Sequence, residues 1–253
     1  MICQSGQFEL QICPNGRSKA DEYYHNGLTW IEGREGSNYI LRFINRSTSR
    51  VAVVFSVDGL DIINGKPAGP NSSSYVIDSN ATMEVPGWVL NNIQVAQFYF
   101  AKAGKSYVTL SGNNTLNTGV IGAMVFKESQ INNPNWLRNQ VTNINLIPNT
   151  NNYFVTTSVG ISTQKTINTN LLNGLVQQEV GTGFGNNVEF NIYNIQFTRA
   201  NHFVPDSILA IYYNSTKNLQ KMGIPIRTAR NKYDNSTATP FPMYQSWCKP
   251  PTD

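Results

Sequence analysis

At 253 residues the chain is long enough for one large all-β domain or two smaller ones, each with a core of its own. Hydrophobic residues make up 40% and charged residues only 13%, so its polarity comes mainly from Asn, Ser, Thr and Gln. The net charge of +4 does not by itself predict a nucleic-acid partner, and no run approaches the ~18 apolar residues of a membrane span.

The opening MICQSGQFELQICPNG has no basic segment followed by an apolar core, so no secretory signal is expected and synthesis in a cytoplasm is. Cys3, Cys13 and Cys248 make an odd count. A Cys3–Cys13 bridge fits a terminal hairpin, but a chain without a secretory signal favours free thiols. With only His25 and His202, both read as turn-flanking, and no Cys-x-x-Cys, a zinc site is not expected. Sequons at Asn45, Asn71, Asn80, Asn113, Asn214 and Asn235 match what this composition yields by chance and do not argue for glycosylation.

Glu32 and Glu35 flank Gly33-Arg34 in a glycine-rich turn. Glycoside cleavage needs two carboxyls at a fixed separation, which makes them a candidate pair. The plainer reading has them solvated or paired with Arg34 and Arg42. From residue 39 to 127 the chain reads as short strands: 39–44, 51–57, 75–77, 81–85, 95–100 and 120–126. Each is rich in β-branched and aromatic residues and bounded by Gly, Pro, Asn or Ser.

Within that region lies SVDGLDIINGKPAG. Asp58-Gly59 directly after a β-run predicts a type I′ hairpin turn, and Asn64-Gly65 predicts a second turn of the same kind. Leu60 and Ile62 then share one side of a short return strand. A metal or carboxylate pair at Asp58 and Asp61 is the rival reading. It lacks the ligand spacing of a calcium loop, and residues three apart in a strand point to opposite faces. The stretch is expected to turn the chain.

Beyond residue 128, helical signals are confined to 134–140 and 215–222, and strand-like runs return at 153–159, 188–195 and 207–213. Gly181, Gly183 and Gly185 resemble a phosphate loop, but strand-like sequence follows them where a helix would be needed, so a bulge or corner beside a large aromatic is expected. Lys217, Lys221, Arg227, Arg230 and Lys232 form a basic run, read as a solvated face.

The fold expected is all-β: an antiparallel β-sandwich, jelly-roll-like, with a sandwich domain over 1–128, a second β-rich unit over 129–230 and an extended Pro-rich tail over 231–253.

Several phrases resemble a β-rich family encoded by bacteria, their phages and large DNA viruses: EYYHNGLTWIEGREGSNYILRFINRS, VVFSVDGLDIINGKPAG, YVIDSNATMEVPGW, VAQFYF, GVIGAMVF and GTGFG. The resemblance covers most of 22–127 and, more thinly, 181–226. It implies no reaction, no cofactor and no catalytic residue. Its viral members imply a virion component such as a minor capsid or vertex (penton) protein. Such a component would be made in the host cytoplasm and packed against copies of itself and other capsid proteins, with no specific nucleic acid. The tail with Tyr244 and Trp247 suits an arm laid over a neighbour. The alternative is a carbohydrate- or receptor-binding sandwich, with Tyr23, Tyr24, Trp88 or Trp136 as surface aromatics.

Overall fold

The computed structural model describes residues 1–129, 153–156 and 177–226. In chain order its strands are β1 (Phe8–Pro14), β2 (Tyr23–His25), β3 (Leu28–Glu32), β4 (Asn38–Asn45), β5 (Val51–Val57), β6 (Leu60–Asp61), β7 (Ser74–Ile77) and β8 (Thr82–Val85). There follow β9 (Gly87–Asn91), β10 (Gln94–Lys102), β11 (Val120–Lys127), β12 (Tyr153–Thr156), β13 (Val180–Glu189), β14 (Ile192–Asn194) and β15 (Ser207–Asn214). Two short α-helices, α1 (Tyr107–Leu110) and α2 (Thr216–Lys221), and two single-turn 3-10 helices, Ala103–Lys105 and Thr115–Asn117, complete the described elements.

The strands form two packed sheets, as an all-β sandwich requires. Sheet A runs β1-β4-β10-β13, with β8 also pairing β4 and β9 also pairing β10. Sheet B runs β14-β12-β7-β5-β11-β15-β3-β2, with β6 pairing β5. Pairing is antiparallel except for β3 with β15 and β12 with β14, so sheet B is mixed where an antiparallel sandwich was expected. Strands from beyond residue 128 enter both sheets: β13 pairs along β10, and β15 pairs along β11. The expected division at 128 therefore does not follow the strand pairing, because long-range hydrogen bonds cross it. The segments 134–140 and 231–253 lie outside the described residues.

Alternation becomes pleat. In β4, Tyr39, Leu41 and Phe43 are buried while Ile40, Arg42 and Ile44 are only partly so. The inner faces meet in an aromatic core: Phe43 lies 5.9 Å from Phe55, Phe55 5.8 Å from Tyr75, and Tyr39 4.5 Å from Phe100. Neither Cys3 nor Cys13 is bridged; both are buried as free thiols.

Asp58 (φ 52°) and Gly59 (φ 83°) both take the left-handed conformation that a type I′ turn demands, and β5 and β6 pair across them. Asn64-Gly65 differs from its expectation. Only Gly65 has positive φ, its amide donates to the Asp61 carbonyl at 2.8 Å, and the Asn64 side chain accepts from the Lys66 amide at 2.9 Å. A side-chain-closed turn has replaced the second hairpin turn. The sequons at Asn45 and Asn214 are buried; the Asn45 amide donates to the Ser49 and Asp78 carbonyls at 2.9 and 2.8 Å.

The run expected as a strand over 188–195 is broken. β13 ends at Glu189, and β14 begins at Ile192. The strand instead starts eight residues earlier, through the glycines. A side chain at Gly183 would overlap the Tyr99 ring, and one at Gly185 would sit 2.7 Å from the Gln97 carbonyl oxygen. The pairing register shifts beside them, between Ala96 and Phe98, so the glycines accompany a bulge and an aromatic as anticipated.

β5 is buried on both faces because the segment after β14 covers its outer side. Arg199 fastens that cover. Its guanidinium lies 3.9 Å over the Phe126 ring and donates to the Pro70 carbonyl, the Ser72 carbonyl at 3.2 Å and Ser74 Oγ at 2.9 Å. Arg199→Met keeps the apolar stem over Phe126 but leaves those acceptors without their donor. A loss of about 2 kcal/mol is expected in urea unfolding, with Arg199→Lys recovering only part of it.

Candidate functional site

Asp58 does more than turn the chain. Its side chain is buried, with 1% of its surface exposed, at the place where both sheets meet. Oδ1 accepts from the Tyr213 hydroxyl at 2.5 Å and the Gly119 amide at 2.8 Å, and Oδ2 accepts from the Thr182 amide at 2.7 Å. Tyr213 belongs to β15 of sheet B and Thr182 to β13 of sheet A. Thr182 Oγ1 lies 2.8 Å from the Tyr213 hydroxyl and 2.7 Å from that of Tyr39 on β4. Four buried side chains from four segments thus form one hydrogen-bonded chain across the sandwich.

The three strand members sit inward because their strand phase puts them there, and Asp58 is placed by its turn. Tyr213 follows Leu209 and Ile211 on the buried side of β15, and Tyr39 precedes Leu41 and Phe43 on that of β4. Burial pushes the Asp58 carboxyl up to about 6, although its hydrogen bonds from Tyr213, Thr182 and Gly119 pull the other way. Burial, with Asp58 nearby, holds both tyrosines well above the usual phenol range.

Asp61 does not join this chain. It is also buried, but its Oδ1 accepts from the Ile63 amide at 2.9 Å, closing its own turn. Burial pushes it too up to about 6, against hydrogen bonds from Ile63, Ser72 and Asn64. The two carboxylates share no hydrogen-bond partner. Among the described residues, no three His, Cys, Asp or Glu side chains gather into a group able to hold a metal.

Above the Tyr213 end lies an open groove of about 480 Å³, lined by Glu32–Glu35, Lys102–Gly104, Gln177–Val180, Ser215 and Thr216. Gly33 forms its floor, where a side chain would press to 2.9 Å from the Tyr213 ring. Glu32 and Glu35 therefore share a groove, but they come from a single short segment, the end of β3 and the turn that follows it. The Glu32 carboxylate accepts from the Thr216 hydroxyl and pairs with Arg34 at 3.4 Å. A third acid, Glu179, accepts from Ser215 Oγ at 2.6 Å. Two of the three carboxylates are thus engaged by the hydroxyls of successive residues at the start of α2. Arg42 is paired with Glu84 at 2.6 Å, and not with either groove glutamate.

Comparison with known protein families, with curated proteins and with solved structures finds no match. Chemistry must therefore be read from the residues alone. His25 closes β2 just before the Asn26-Gly27 turn, and His202 lies in an exposed turn. Lys217 and Lys221 are exposed on α2, whereas Arg227, Arg230, Lys232, Tyr244, Trp247 and Cys248 lie outside the described residues. Trp88 is core: it is 2% exposed, and its indole donates to the Gly183 carbonyl at 3.0 Å. Tyr24 is 80% exposed, Tyr23 is half-buried, and Trp136 is outside the described residues.

Tyr39, Thr182, Tyr213 and Glu179 were not singled out from the sequence. A signal was available for the two tyrosines. A hydroxyl on the apolar side of an alternating strand needs a buried partner, and Asp58 is the anion that supplies one.

Proposed function

We propose that this chain is a non-enzymatic structural protein of a virion, a minor capsid or vertex component that works by packing against its own copies and other capsid proteins. The observation that carries the reading is a set of large apolar side chains held out to solvent on pinned backbone. Leu110 is 71% exposed at the end of α1, Leu116 84%, and Phe203 and Val204 51% and 62%. The Asn114 side chain accepts from the Leu116 amide at 2.9 Å, and that of Asn201 accepts from the amides of Phe203 and Val204 at 3.0 and 2.9 Å. Turns closed in this way spend little ordering entropy when a neighbour covers them. The low charge and the viral resemblance of the sequence point the same way.

A carbohydrate-binding reading rests on a different place. Phe184 is 42% exposed, leans on Tyr107 at 5.1 Å, and is followed by exposed Asn186 and Asn187, an aromatic-and-amide set on which a sugar ring can stack.

Sedimentation velocity over a concentration series, with glycan-array binding of the same preparation, separates the two. Packing predicts reversible self-association that Leu116→Ser and Phe203→Ser weaken at unchanged melting temperature. A monomer at every concentration that binds a glycan, and loses it on Phe184→Ala, overturns the structural reading.

A further inference from the structure

The buried chain that ends on Asp58 has a direction. Tyr213 donates to Asp58, so its oxygen accepts from Thr182 Oγ1, which in turn accepts from Tyr39. If Asp58 Oδ1 carries a proton and donates it to Tyr213, all three links reverse by rotation of hydroxyls, with no heavy atom required to move, and the Tyr39 hydroxyl, no longer a donor to Thr182, becomes the end of the chain. The contacts of Thr182 with both tyrosines fit either direction.

We propose that Asp58 is a proton-operated tie between the two sheets, tightest when its carboxyl is protonated and slackened when the proton leaves. The groups that face it are Tyr213 from β15, Tyr39 from β4, Thr182 from β13, the Gly119 amide ahead of β11, and Asn117, which packs on Gly59. None is a cation. An anion there has donors but no countercharge, and it cannot reach water.

The carboxyl's pKa of about 6 when folded, against an ordinary 3.8, sets the sign. Below the ordinary value of 3.8 both folded and unfolded chains hold the proton, and stability is full. Between about pH 4 and 6 the unfolded chain has released a proton that the folded protein still holds, so stability falls across that window and levels off above it. The whole span corresponds to roughly 100-fold in the unfolding constant. Asp61 contributes with the same sign, so a melting curve alone does not assign the effect to Asp58.

Two measurements on the full chain do assign it. The first follows the carboxyl ¹³C resonance of Asp58, identified by its loss in Asp58→Asn, across pH 3–8; a midpoint near 6 is expected. The second measures hydrogen exchange of the Thr182 and Gly119 amides at pH 5 and 7, corrected for intrinsic rates, in the native chain and in Asp61→Asn. Protection is expected to drop roughly tenfold at the higher pH in both. A midpoint at or below 4, equal protection at both pH values, or a drop that vanishes in Asp61→Asn each overturns the proposal.

Discussion

Asp58→Ala is expected to destabilise the protein by about 4 kcal/mol at pH 4, and by only about 2 kcal/mol at pH 7. The first figure comes from two buried amides, of Thr182 and Gly119, that lose their carboxyl acceptor, and from the buried Tyr213 hydroxyl, which loses its partner in the same carboxyl. Each orphaned donor costs about 1–3 kcal/mol, and Tyr213 keeps a partial remedy in Thr182. The narrowing comes from the native side. At pH 7 the wild type already carries an ionised carboxylate whose pKa burial has raised to about 6, and the alanine variant escapes that cost. Urea unfolding at the two pH values gives both numbers. A loss that grows with pH would mean that the anion is stabilised in place, contrary to its surroundings. Against a typical total of about 5–15 kcal/mol, the change at pH 4 approaches the margin of folding.

Gly87→Ala is expected to cost about 3 kcal/mol or more, although it adds a single methyl group. Gly87 faces Gln97 in the β9–β10 pair, and a Cβ there would overlap the carbonyl of Ala96. The obstacle is backbone, which has no rotamer into which to retreat, so the strands must part. Their separation would disturb the neighbouring Trp88 and its bond to the Gly183 carbonyl. Gly104→Ala is the matched control: nothing lies within 4 Å of its Cβ position, and its φ is not positive. It should fall within about 0.5 kcal/mol of the wild type. Thermal unfolding followed by Trp fluorescence compares the two, and equal effects would remove the close backbone approach as the cause.

Much of the architecture was written locally. The strands at 39–44, 51–57 and 120–126, the Asp58-Gly59 turn and the helix that opens with Ser215 as its cap all appear where their residues predict. Each depends on interactions within a few positions: pleat alternation, positive φ at a turn, and a hydroxyl accepting from an amide three residues on. Strand β13 was hidden for the complementary reason. Gly181, Gly183 and Gly185 carry little strand preference of their own, and the segment is strand because the Tyr99 ring and the Ser106 side chain fill the space that side chains would have taken.

The role of Asp58 lay further out of reach. Its partners stand 61, 124 and 155 residues away in the chain, at Gly119, Thr182 and Tyr213. The local pattern determined that Asp58 would turn the backbone. Only the packing of two sheets decided that its carboxylate would be sealed from water between them, because burial and hydrogen-bond pairing across a sandwich depend on which strands meet. Glu32 and Glu35 show the same division: their spacing made them neighbours, while Glu179 and the hydroxyls of Ser215 and Thr216 reached the groove through the fold.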